Sequence, residues 1–151
     1  LKWPNDVLVG QNKISGILLE SVVDLSDICH VVLGIGINVN MQKSAEIDQK
    51  WTSAQLETGS PIGRNYLVAQ LSQQLDTYLN RYKAFGFAVF QEEWELNHLW
   101  QGKDVCLISS FNHIYGVVLG IDPQGRLRMN VDGVEKIYSG GELSLSLRDD
   151  S

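Results

Sequence analysis

Ile114-Tyr115-Gly116-Val117-Val118-Leu119-Gly120-Ile121, Asp122-Pro123-Gln124-Gly125, Arg126-Leu127-Arg128-Met129-Asn130-Val131, Asp132-Gly133, Val134-Glu135-Lys136-Ile137-Tyr138: residues 114–138 alternate apolar runs with turn chemistry. Asp122-Pro123-Gln124-Gly125 suits a type I turn, with Pro second and Gly fourth. Asp132-Gly133 is a two-residue hairpin signal. Val105 to Ile108 before this stretch and Leu143 to Leu147 after it carry the same period of two. Five short strands after Gly102 predict a small all-β barrel forming its own C-terminal domain.

Before Gly102 the pattern differs. Leu67, Leu71, Leu75, Tyr78 and Tyr82 make one helical stripe. Asn65 reads as its N-cap and Gly86 as its terminator. Phe87, Phe90 and Trp94 continue with helical spacing, and these helices are expected to pack one face on a sheet. That sheet comes from the first forty residues. Val7 to Val9, Ile14 to Val23 and Val31 to Val39 are apolar runs. Gly10-Gln11-Asn12 and Asp24-Leu25-Ser26-Asp27 separate them, and such short loops predict an antiparallel meander. Val31 to Ile37 is apolar on both alternating faces and reads as a central strand covered on both sides. The fold class is therefore α+β: an antiparallel or mixed sheet with helices packed on one side, followed by the small barrel.

The 151 residues suffice for one compact domain or a domain plus a small satellite. A charge of −6 argues against nucleic-acid contact through a basic face. Cys29 and Cys106 are too few and too far apart for a disulfide framework or zinc site, which points to a reducing, cytoplasmic setting. No run approaches a membrane span. Leu1 is not an initiator methionine and the richest motif starts at Lys2, so the sequence reads as a C-terminal piece of a longer protein.

Three stretches could carry chemistry. In Lys2-Trp3-Pro4-Asn5-Asp6 a lysine, an amide and a carboxylate flank a fixed Pro4. Either the lysine faces a phosphate or carboxylate beside an acid that orients an amine, or these are ordinary surface charges. Lys13, opening an otherwise apolar strand, either neutralises a transferring phosphoryl group or is a solvated turn lysine. Gly16, inside that strand, marks a bulge or a close ligand approach. Gly34 and Gly36 strip one face of side chains, so that a flat ligand could lie on the backbone; alternatively they relieve a crowded core. Asn38 offers donors and an acceptor that suit an adenine edge, or simply begins a turn. His30, His98 and His113 share no metal or triad spacing and read as surface or core.

In this order, Lys2-Trp3-Pro4-Asn5-Asp6, Lys13-Ile14-Ser15-Gly16-Ile17-Leu18-Leu19-Glu20 and Gly34-Ile35-Gly36-Ile37-Asn38 resemble the biotin–protein ligase family. Val117 to Gly125 and Gly140-Gly141-Glu142-Leu143-Ser144-Leu145 resemble its SH3-like C-terminal domain. The resemblance implies that 1–101 is the C-terminal part of the catalytic domain and 102–151 the SH3-like domain. It also implies a two-step reaction. The biotin carboxylate attacks the α-phosphate of ATP, giving biotinyl-5′-adenylate and pyrophosphate; a lysine of a biotin carboxyl carrier domain, as in acetyl-CoA carboxylase, then displaces AMP. Lys13 matches the family lysine near the anhydride, and Asp6 the carboxylate facing the incoming lysine. Lys2 and Asn5 match the same corner of the site. Gly16, Gly34 and Gly36 match the backbone beside biotin or ribose, and Asn38 the adenine-facing asparagine. ATP and biotin are substrates, with Mg2+ shielding the triphosphate and no protein metal ligands.

The family's Gly-Arg-Gly-Arg-x-Gly loop and the helix-turn-helix of some members are not in this sequence. Arg148 is close to, but displaced from, a family arginine after the Gly-Gly-Glu segment. The chain alone is expected to be inactive and to form a homo-oligomer, most simply a dimer, with no contact to nucleic acid or membrane. Two alternatives stand beside the ligase: a lipoate–protein ligase, and a non-catalytic biotin-sensing or interaction fragment of a transcriptional repressor.

Overall fold

The computed structural model describes residues 1–23, 29–44, 47–109 and 112–145. The chain is α+β and divides into two compact units, Asn5–Leu71 and Leu1–Pro4 with Ser72–Ser151. In the first, β1 (Asp6–Val9), β2 (Asn12–Val23) and β3 (Cys29–Ile37) form an antiparallel sheet in the order β1-β2-β3. Gly10 turns the β1–β2 hairpin at φ 57°, a conformation that favours glycine. The turn read at 24–27 lies outside the described residues. A short helix, α1 (Ala54–Thr58), follows. Ser53 caps it by accepting the Leu56 N–H at 3.2 Å, and Gly59 ends it at φ 75°.

Two expectations change here. Among the described residues β3 pairs only with β2 and stands at one end of the order β1-β2-β3, not between two strands as expected. Val31, Val32 and Ile35 are exposed. An apolar run records a strand suited to cover; it does not record where in the sheet order the strand falls. The second change concerns Asn65. The long helix α2 (Arg64–Phe85) begins one residue before it, and the Leu67 N–H bonds to the Gly63 carbonyl at 3.0 Å. Asn65 thus lies within the first turn, because the helix extends by one more backbone hydrogen bond than its side-chain pattern marks. Gly86 does end α2, at φ 72° with its N–H on the Tyr82 carbonyl. Along the stripe Leu67, Leu71 and Leu75 are half-buried while Tyr78 and Tyr82 are exposed; no α2 residue is fully buried.

In the second unit a 3₁₀ turn (Phe87–Phe90) leads into α3 (Gln91–Leu96). Then come β4 (Asp104–Ser109), β5 (Asn112–Ile121), β6 (Leu127–Val131), β7 (Val134–Tyr138) and β8 (Glu142–Leu145), all antiparallel, in the order β7-β6-β5-β4-β8. The predicted turns are both present. The Gly125 N–H closes on the Asp122 carbonyl at 2.8 Å. Asp132 and Gly133 take φ 54° and 81°, the signature of a type I′ hairpin. Residues 146 and 147 of the last predicted strand, and Arg148, lie outside the described residues. The core is formed by Val105, Leu107, Val118, Ile121, Leu127, Met129, Val131 and Leu143, joined by Trp3 from the chain's start. Trp3 donates its indole N–H to the Gly125 carbonyl at 3.2 Å, which satisfies the one polar atom the ring would otherwise bury.

Candidate functional site

The site begins with a register shift. Val7 faces Ser15 on β2 but Leu8 faces Lys13, so Ile14 is an extra, unopposed residue. A bulge of this kind re-aims the neighbouring side chain. In an unbroken strand Lys13 would share a face with Ser15. Here it lies over Gly16: a Cβ built on Gly16 would come within 3.2 Å of Lys13 Cε and 3.6 Å of Asp6 Oδ1. Asp6 is the cross-strand partner of Gly16. The three residues therefore converge, and Lys13 Nζ pairs with Asp6 Oδ1 at 2.7 Å, the side chains 29% and 14% exposed.

On the other side of Gly16 stands Gly36, its partner on β3, and Gly34 pairs with Leu18. A Cβ on Gly36 would meet only the Gly16 carbonyl, at 3.8 Å, and one on Gly34 the Leu18 carbonyl, at 3.6 Å. Both are ordinary contacts, and neither glycine has a positive φ. Crowding within the chain and backbone strain are thus excluded as reasons for glycine at these two places. They leave a bare strip of backbone running from the Lys13–Asp6 pair.

Asn38 fixes the next wall. Its Nδ2 donates to the carbonyls of Thr52, at 3.0 Å, and Lys13, at 3.4 Å. Residues 50–52 add a short ladder to β2, with the Lys13 N–H on the Lys50 carbonyl and the Thr52 N–H on the Lys13 carbonyl. The result is a cleft of about 360 Å³ lined by Lys13, Ser15, Gly16, Gly36, Asn38 and Trp51, among others. Ser15 Oγ is buried there with no hydrogen-bond partner among the described residues. Trp51, Ser15 and the bulge at Ile14 were not singled out in the sequence. The Lys13–Trp51 bridge joins distant residues, and no local period announces it.

Asn5 donates its Nδ2–H to the Ile17 carbonyl at 2.7 Å, and its own carbonyl accepts the Ile17 N–H at 3.0 Å, locking the entry of β1 to β2. Lys2 belongs to the other compact unit. Its Nζ lies 3.6 Å from Glu142 Oε1 and 5.4 Å from the Trp100 ring centroid. In that unit His98 is buried and stacked on Trp94 at 4.6 Å. Its Nε2 accepts the Trp3 amide N–H at 3.4 Å, so the neutral ring carries its proton on Nδ1. Burial, the largest cause, pushes its pKa down to about 4.

A bare glycine strip beside a lysine–carboxylate pair, on a small antiparallel sheet, has relatives. Residues 1–38 match the biotin/lipoate A/B protein ligase family. The bifunctional ligase/repressor BirA of Escherichia coli is 36% identical over 147 residues, 96% of this chain and 46% of that protein. The biotin–[acetyl-CoA-carboxylase] ligase of Mycobacterium tuberculosis is 31% identical over 95% of this chain and 52% of its own length. The crystal structure of the Aquifex aeolicus biotin protein ligase superimposes with a TM-score of 0.83 at 31% identity, over 97% of this chain and 64% of that one. The same enzyme solved in complex with biotin and ATP gives 0.81. Over almost its whole length the chain is similar to biotin–protein ligases. It spans about half the length of the curated relatives it matches.

Proposed function

We propose that this chain is part of an enzyme that activates biotin with ATP and transfers it to a lysine of a biotin carboxyl carrier domain. The observation that carries the reading is the convergence of Lys13 and Asp6 at one end of the Gly16–Gly36 strip. In the first step a biotin carboxylate oxygen bonds to the α-phosphorus and the bond to pyrophosphate breaks. Negative charge grows on the α-phosphoryl oxygens, and the Lys13 ammonium, held at a fixed place by Asp6, stabilises it. In the second step the carrier lysine's amine bonds to the anhydride carbonyl, loses a proton and expels AMP. Asp6 orients that amine and receives the proton.

Asn38, Trp51 and the glycine strip form the adenylate's bed, with the strip beneath biotin or ribose and Asn38 at the adenine side. Asn5 holds the entry to β1 against β2, and Lys2 is assigned to the reaction on the sequence resemblance alone. Among the described residues no three His, Cys, Asp or Glu side chains group closely enough to hold a metal ion. In this reading Mg2+ enters as part of the ATP substrate, on its phosphates. In this reading 1–101 belong to the catalytic domain and 102–151 form the SH3-like domain. The carrier is that of acetyl-CoA carboxylase, the location is cytoplasmic, and the protein self-associates. Among the described residues no helix is long and apolar enough to cross a membrane.

The test is biotinylation of a carrier domain by the intact protein carrying these residues, with ATP and either biotin or lipoate. Biotin-dependent adenylate and a biotinylated carrier lysine are expected. Lipoylation instead would establish the lipoate–protein ligase reading, and ligand binding with no adenylate the sensor reading.

A further inference from the structure

The cleft wall formed by Ile47, Gln49 and Trp51 lies on the segment between Asn40 and Ile62. One side chain closes the two ends of that segment. Asn40 Nδ2 donates to the Ile62 carbonyl at 2.9 Å, and Asn40 Oδ1 accepts the Ile62 N–H at 2.8 Å. An amide side chain here pairs with a backbone residue in both directions, using donor and acceptor together. Around this clasp the segment is tied at further points. Ser53 Oγ donates to the Met41 carbonyl at 2.6 Å, and the Ala54 and Gln55 N–H groups bond to the carbonyls of Asn38 and Val39. All of these residues lie in one compact unit.

We propose that Asn40 is a positioning residue for the cleft: its two-way pairing with Ile62 sets the wall carrying Trp51 in place before a nucleotide arrives. The inference rests on the adenylate reading of the cleft. A wall already ordered spares the ligand the entropy of ordering it, which appears as affinity. Asparagine is required on chemical grounds. Aspartate has the same shape, but it loses the donor and turns a carboxylate towards the Ile62 carbonyl. Alanine loses both bonds.

The experiment compares the unmodified chain with Asn40→Asp and Asn40→Ala. Limited trypsin digestion, quantified bond by bond, reads the clasp. Cleavage after Lys43 and Lys50, both within the closed segment, should rise severalfold in both variants, while cleavage after Lys103 and Lys136 in the other unit should not change. Calorimetry with AMP should show roughly tenfold weaker binding in both, the scale of two lost hydrogen bonds. Unchanged cleavage after Lys43 and Lys50, or a rise at all four sites alike, would overturn the clasp. Faster local cleavage with unchanged AMP affinity would overturn its service to the ligand. An unmodified chain that binds no AMP would overturn the nucleotide reading itself, and the role of Asn40 with it.

Discussion

Gly36→Ala separates a ligand-bearing surface from a packing requirement. The new methyl group would stand on the bare strip, 3.8 Å from its nearest neighbour, the Gly16 carbonyl oxygen. That is ordinary contact, and the backbone of Gly36 lies outside the left-handed region, so the folded chain absorbs the change without strain. Alanine also has fewer unfolded conformations to lose. The substitution should therefore leave stability unchanged or raise it by about 0.4–1 kcal/mol. A ligand lying on the backbone meets a different situation. The methyl group fills the contact distance that a flat ligand needs, and the ligand must lift off or lose the contact. An overpacked contact of this kind weakens binding by about 1–3 kcal/mol, or roughly 5- to 150-fold. Urea unfolding reads the first quantity, and titration with biotinyl-5′-adenylate, the ligand of the proposed reaction, reads the second. Binding unchanged at equal stability would refute the claim that the strip is a ligand floor. A stability loss above about 1 kcal/mol would refute the packing argument.

Asp6→Asn should slow transfer from preformed adenylate more than it slows adenylate formation, because the amide keeps the shape and cannot take a proton; single-turnover kinetics separate the two steps. His98 supplies a pH signature. Its folded pKa of about 4 lies below the ordinary value of 6.5, so the unfolded chain takes the proton first as pH falls. Stability present above pH 6.5 is lost between 6.5 and 4, by up to about 3 kcal/mol in all. His98→Gln should flatten that part of the urea-derived stability profile, and an unchanged slope would sink the assignment. Leu107→Ala, at a fully buried core position, should cost about 2–5 kcal/mol, read by the same unfolding measurement.

The sequence disclosed what is local. Asp132-Gly133 and Asp122 to Gly125 announced their turns because the backbone conformations they adopt are those these residue types favour. Gly86 announced the end of α2 for the same reason. The residues of the cleft were legible as types, yet their arrangement was not. An unopposed Ile14 looks like any strand isoleucine, though it alone brings Lys13 over Gly16 and onto Asp6. The Lys13–Trp51 bridge and the burial of Trp3 among strands a hundred residues later are non-local. The place of β3 at one end of the order β1-β2-β3 likewise depends on pairing partners and not on its own apolar pattern.

Biotin-dependent ATP–pyrophosphate exchange by the intact protein, measured for the native sequence and for Lys13→Ala, tests the central claim most directly. Removing one transition-state donor should slow exchange by about 10²–10³-fold. The Lys13 side chain is only 29% exposed and its loss leaves Asp6 unpaired, so the urea midpoint should fall, and exchange is compared under conditions where both proteins are folded. Exchange at the native rate in folded Lys13→Ala would contradict the account.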